Sequence, residues 1–117
     1  MNIKIIFLLA ASILSYSSIV HAAENQSLNL RAAEVHESCH ELAAGMKLNY
    51  SFQSSSETLF NIHYHDGKVV SYPVAKQKTS GRNGTLTADS SRSYCLMWSN
   101  PQTITLTLRY KVDLPGN

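Results

Sequence analysis

Apolar and polar residues alternate with a period of two along most of this chain. Met46, Leu48, Tyr50 and Phe52 interleave with Lys47, Asn49, Ser51 and Gln53, the pattern of a strand with one face toward a core and one toward water. Phe60, Ile62 and Tyr64 alternate in the same way with Asn61, His63 and His65. Near the end, Ile104, Leu106, Leu108, Tyr110 and Val112 alternate with Thr103, Thr105, Thr107, Arg109 and Lys111. Leu28 and Leu30 suit a short first strand. The run from Ser93 to Asn100 is apolar at both phases, which marks a central strand, and Pro101 ends it. Between two of these strands Asp66-Gly67 predicts a hairpin turn, because glycine reaches positive φ without steric cost.

The remaining segments are less regular. Residues 31–44 are rich in helix formers (Ala32, Ala33, Glu34, Glu37, Glu41, Leu42, Ala43) and a short helix stopped by Gly45 is one reading. A strand and loop through Cys39 is the preferred one, since every later segment is β in pattern and a lone helix would have little apolar face to bury. Ser54-Ser55-Ser56-Glu57 is expected to turn the chain. Pro73 places the end of the strand after the hairpin at a sheet edge or bulge. Residues 76–84, with Ser80-Gly81 and Asn83-Gly84 as breakers, read as an exposed loop, followed by a short strand Thr85-Leu86-Thr87-Ala88 closed by Asp89-Ser90-Ser91. Many short strands joined by turns predict an all-β, two-sheet antiparallel β-sandwich with one disulfide, its core built from Tyr50, Phe52, Phe60, Ile62, Leu96 and Trp98. No internal repeat is visible, and the length fits one domain.

The first residues change the picture from fold to location. Met1-Asn2-Ile3-Lys4 carries one positive charge and leads directly into an apolar run from Ile5 to Leu14, which Ser15-Tyr16-Ser17-Ser18 breaks far short of the roughly 20 apolar residues a membrane span requires. Val20-His21-Ala22 then offers a signal-peptidase site. Residues 1–22 are therefore expected to be a signal peptide and 23–117 the mature domain, periplasmic or secreted, with no transmembrane segment in the mature chain. Charges nearly balance, with 10 Lys and Arg against 8 Asp and Glu. No basic run occurs, so the electrostatic footprint of a nucleic-acid binder is missing.

The two cysteines, Cys39 and Cys95, are expected to pair in an oxidising compartment. Two free thiols are the weaker alternative, since the pair forms no Cys-x-x-Cys redox motif. Cys95 is out of phase with Tyr94, Leu96 and Trp98, so either the disulfide or the aromatic residues occupy the outer face; periodicity leaves both open.

In order and spacing, several of these pieces resemble the GOLD (Golgi dynamics) domain, the lumenal β-sandwich of eukaryotic cargo adaptors. The residues that carry the resemblance are Cys39 with Gly45 after it, Leu48-Asn49-Tyr50-Ser51-Phe52, the hairpin from Phe60 to Gly67, and Tyr94-Cys95-Leu96-Met97-Trp98-Ser99-Asn100 before a last alternating strand. The resemblance implies that a cysteine ahead of the sandwich, Cys39, pairs with one in the penultimate strand, Cys95. It also implies a compact module that binds proteins or membrane-associated partners without chemistry of its own. The chain stops shortly after the last strand, without the coiled coil and membrane helix of the adaptors, and so looks more like a stand-alone secreted bacterial type.

Candidate chemistry gathers at the hairpin. His63 and His65, spaced i, i+2, project from one face of a strand and can share a Cu(II), Ni(II) or Zn(II) ion. Two ligands are too few. His36 and His40, at i, i+4 if that segment is helical, are candidates to complete the set, as is Asp66; Met46 or Met97 suit only copper(I). The plainer reading makes His63 and His65 polar residues on a solvated face. Asn61, His63, His65 and Asp66 together form the candidate binding surface. An enzyme is disfavoured, because these residues lack a nucleophile and no Gly-x-Ser-x-Gly elbow exists. Tyr64, Tyr72, Tyr94 and Trp98 are candidates for a recognition surface, although core packing is the better reading for Trp98. The sequence thus points to a non-catalytic exported module for a protein or envelope-associated partner, needing no cofactor. The alternative is a periplasmic Cu or Zn binder built on the His-x-His strand.

Overall fold

A computed structural model of the chain describes residues 11–15 and 25–116. The expected signal peptide and its cleavage point after Ala22 lie outside the described residues, apart from 11–15, which form no regular structure. Six strands follow in order: β1 (Asn25–Leu30), β2 (Val35–Leu42), β3 (Lys47–Asp66), β4 (Val69–Thr87), β5 (Arg92–Ser99) and β6 (Leu106–Asp113). All pairings are antiparallel. Residues 31–44 thus form a strand, β2, with a turn before it and loop after it, and not a helix.

The organising element is the β3–β4 hairpin. β4 runs along one edge of β3 over nearly its whole length, from Lys47↔Thr87 to Asp66↔Val69. The other edge of β3 is shared: β6 pairs with Asn49 to Ser54, and β5 with Leu59 to His63. β1 adds outside β6, and β2 outside β5. The expected division into two sheets is therefore corrected to one antiparallel sheet that curls into a half-barrel. Because β3 passes through both wings, one continuous strand joins them.

Two further expectations fail for one reason. Ser54-Ser55-Ser56-Glu57 does not turn the chain; these four residues bulge opposite Ser80 alone, between the pairs Gln53↔Gly81 and Thr58↔Thr79. A bulge of this kind bends and twists a strand without ending it. Serine hydroxyls hold it: Ser54 Oγ donates to Ser56 O at 2.6 Å, and Ser55 Oγ accepts from Thr107 N at 2.8 Å. Likewise residues 76–84 are strand, not loop, paired through the backbone with β3 despite their polar side chains. Pro73 does sit where β4 is both an edge and irregular, between the pairs Ile62↔Val74 and Tyr64↔Ser71. Gly67, at φ 61°, makes the tight turn after Asp66. Ile104 is exposed and precedes the last strand.

Even-numbered residues of β2, β3, β5 and β6 face the hollow of the curled sheet. Phe60, Ile62, Leu96, Trp98, Leu106 and Leu108 are fully buried there, with Tyr50 and Phe52 nearly so. Their rings bridge the two wings: Phe52 lies 4.5 Å from Phe60 between ring centroids, and Trp98 of β5 lies 4.6 Å from Tyr110 of β6. Such pairs add about 0.5–1.5 kcal/mol each beyond the area they bury. The one sheet thereby encloses the core that a second sheet was expected to cover.

At the end of the hollow Asn100 ties two connections together. Its buried Nδ2 donates to Leu30 O and Ile104 O at 2.9 and 2.7 Å, while its Oδ1 accepts from Gln102 N at 2.8 Å.

Candidate functional site

The register between β2, β5 and β3 decides what lies on the outer face. Cys39 stands directly opposite Cys95, and Cys95 directly opposite His63. Residues opposed in antiparallel strands project to the same side, so the disulfide, His63 and their odd-numbered neighbours share the convex surface. The Cys39–Cys95 bond closes across adjacent strands with Cα atoms 4.0 Å apart. The phase question left by the sequence is settled: the aromatic residues take the core and the disulfide takes the outside.

His36 and His40 stand opposite Trp98 and Tyr94, on the inner face. They do not join His63 and His65, so the expected four-histidine set is corrected to one neighbouring pair, His63 and His65, with His36 and His40 each apart from it. The helical i, i+4 spacing that would have brought His36 and His40 together does not apply in a strand, where they fall on the inner side of β2. Each is occupied there. The His36 imidazole Nε2 lies 2.9 Å from Tyr110 Oη, its ring stacked 6.0 Å from Trp98, and His40 Nε2 lies 2.8 Å from Ser38 Oγ. Burial pushes both below the ordinary imidazole pKa. Asp66 also departs from the group. Its carboxylate lies 3.8 Å from Arg92, whose guanidinium covers the Tyr64 ring at 4.2 Å.

Asn61, His63 and His65 do come together. The rings of His63 and His65 meet edge to face, centroids 5.3 Å apart, as the i, i+2 spacing requires. The expectation of a solvated face holds for His65 and fails for the other two: Asn61 is 2% and His63 5% exposed. Strands on both sides supply the cover, with the disulfide from β5 and the Tyr72 ring of β4 6.0 Å from that of His63. Burial is tolerable because the polar atoms are paired. His63 Nδ1 lies 2.8 Å from Asn61 Oδ1, and Nε2 lies 3.4 Å from Glu37 Oε1. Burial lowers the His63 pKa most, the Glu37 carboxylate opposes this, and His65 and Lys76 reinforce it.

Glu37 is the member that sequence reasoning missed. A signal existed: once Cys39 is paired with Cys95, a residue two positions before Cys39 falls on the same face, beside Met97 and within reach of β3. Glu37, His63 and Cys95 place potential ligand atoms within 4.8 Å of one another. The Cys95 sulfur is bonded to Cys39 and is no thiolate, so it does not count as a ligand. Of the aromatic candidates, Tyr94 and Trp98 are core, Tyr64 is half-buried and Tyr72 is exposed. Tyr94 Oη lies 3.0 Å from Asp89, holding that carboxyl below its usual range.

Elsewhere, a groove of about 570 Å³ lies where β1, β6 and the first half of β3 meet, with Arg109, Lys111, Gln53 and Asn83 in its walls. The longest unpaired edge of the sheet, that of β4, is more distinctive. β4 pairs only with β3, so among the described residues no strand pairs with its other side along 19 residues. Its charged residues are Lys76, Lys78 and Arg82, with Lys68 in the preceding turn and no Asp or Glu.

No known family model matches this chain, and no curated protein matches it. A solution NMR structure of a de novo designed double-stranded beta-helix is similar over 77% of this chain and 99% of its own, at 11% identity and a TM-score of 0.47. No helix among the described residues is long and apolar enough to cross a membrane.

Proposed function

We propose that the protein is a non-catalytic, exported binding module of GOLD-like type, which holds an extended acidic segment of a partner protein along the free edge of β4. The observation that carries this reading is the composition of that edge. A long unpaired strand presents a row of backbone N–H and C=O groups, and proteins guard such edges with lysine, proline and bulges. β4 has all three, in Lys76 and Lys78, Pro73 and the irregular register around it. The same cations that repel a second β4 attract a strand bearing carboxylates, and strand addition takes its affinity from main-chain hydrogen bonds. Export is supported by the amino-terminal pattern of residues 1–22 and by the disulfide. The GOLD-like reading is supported by the bond between Cys39 and Cys95, the latter in the penultimate strand.

The test is hydrogen exchange on the purified protein with and without a partner captured from a cell-envelope extract. Protection gained along β4, together with loss of capture in the double variant Lys76→Glu/Lys78→Glu, is the expected result. Protection confined to the curled sheet's faces, or capture indifferent to the charge reversal, would overturn it. A concentration-dependent dimer through β4 would replace the acidic partner by a second copy.

A further inference from the structure

The outer face of the wing built by β1, β6 and the first half of β3 carries a patch that neither the β4 edge nor the histidine cluster uses. Strand register sets two rows of side chains across it: Asn25, Lys111 and Ser51 in one, Ser27, Arg109 and Gln53 in the next. Together they line the groove of about 570 Å³. The rows on either side are bonded within themselves. Thr107 Oγ1 donates to Asn29 Oδ1 at 3.0 Å beyond Arg109, and Thr85 Oγ1 donates to Asn49 Oδ1 at 2.7 Å beyond Lys111. The groove side chains make no such bond among the described residues, and neither of the two exposed cations forms an ion pair there.

What the groove offers defines what fits it. β6 and β3 are hydrogen-bonded along both edges here, so a ligand meets side chains and not the backbone groups that an added strand would pair with. Asn25, Ser27, Ser51 and Gln53 carry amides and hydroxyls, which both donate and accept and so match the hydroxyl groups of a sugar. Arg109 and Lys111, at i and i+2 of a strand, have Cα atoms about 6.5–7 Å apart, and the planar Arg109 fork takes a carboxylate by two bonds at once. Among the described residues no Asp or Glu lines the groove, and Asp113, next on this face after Lys111, falls outside it. The volume lies within the range of about 300–1,000 Å³ for small-molecule sites. We propose that this groove binds an acidic saccharide of at least two uronic acid units, one carboxylate on Arg109 and one beside Lys111, with ring hydroxyls held by the flanking amides and hydroxyls.

The test is an NMR titration of the purified oxidised protein, at physiological salt, with a galacturonic acid trisaccharide, maltotriose and triglutamate. Saturable shifts at the amides of β1, β6 and the first half of β3 are expected with the acidic trisaccharide, and affinity at least tenfold lower for the neutral sugar and for the peptide. Arg109→Gln/Lys111→Gln should weaken trisaccharide binding at least tenfold and Gln53→Ala at least threefold; these side chains are exposed, so the fold is retained. Lys76→Glu/Lys78→Glu should bind the trisaccharide like the wild type, which separates this site from the β4 edge. Absence of saturable shifts overturns the proposal, as does loss of binding in the β4 variant. Equal binding of triglutamate overturns it in favour of a peptide site, and unchanged affinity in Gln53→Ala overturns it in favour of unspecific charge attraction.

Discussion

The inner and outer faces of the sheet both bury side chains completely, on opposite chemical terms. Inside, Trp98 and Phe60 are inaccessible because they are large and apolar and pack against rings from the other wing. Outside, Asn61 and His63 are almost as inaccessible although they are polar, and they remain so by bonding to each other. The contrast shows that burial alone does not separate core from site. The inner face satisfies its demands by packing, and each of its two histidines sets one ring nitrogen, Nε2, against a neighbouring hydroxyl. The outer cluster sets one His63 nitrogen against Asn61 Oδ1 and the other toward the Glu37 carboxylate.

Four measurements break or sharpen that contrast, beginning with the largest effect. Replacing Trp98 with Ala removes the ring that joins the wings and should cost about 3–5 kcal/mol in chemical denaturation; a loss under about 1 kcal/mol would mean that the hollow is not the core. Removing the outer-face disulfide in Cys39→Ala/Cys95→Ala should cost about 2–4 kcal/mol, since the bond closes a loop across 56 residues. The variant should keep its far-ultraviolet circular dichroism at low temperature, because the backbone ladders remain.

Asn61→Ala strands the His63 N–H in a buried setting and should cost about 1–3 kcal/mol by the same measurement. An unchanged midpoint would show that the outer cluster is wet and its hydrogen bond dispensable. The smallest effect is the acid response. His36 and His40 have pKa values lowered by burial, so the fold binds their neutral forms in preference. Their contribution is complete above the unfolded value of about 6.5 and is lost as pH falls through the lower folded values. Thermal midpoints should therefore decline on acidification from pH 7 toward 5, and the double variant His36→Gln/His40→Gln should flatten that decline.

Much of this molecule follows from local pattern. The alternation of Leu48, Tyr50 and Phe52, of Phe60 and Ile62, and of Leu106 and Leu108 assigns each strand its buried face, because consecutive side chains of an extended backbone must point to opposite sides. The same rule put His63 and His65 together. Cysteine count and Gly67 fixed a bond and a turn in the same local way.

The tertiary structure alone decided the rest, wherever the force that holds a residue comes from a partner strand. Residues 76–84 have the side chains of a loop, and it is backbone pairing with β3 that makes them strand, through groups every residue carries alike. The serines of residues 54–57 carry turn chemistry, yet pairing on either side of them keeps the chain running and leaves a bulge. That one continuity merged two expected sheets into one. Glu37 became a neighbour of His63 only because β5 lies between β2 and β3. Sequence set which way each side chain points along its own strand; the order and register of the strands, governed by contacts between residues far apart in the chain, chose what it meets there.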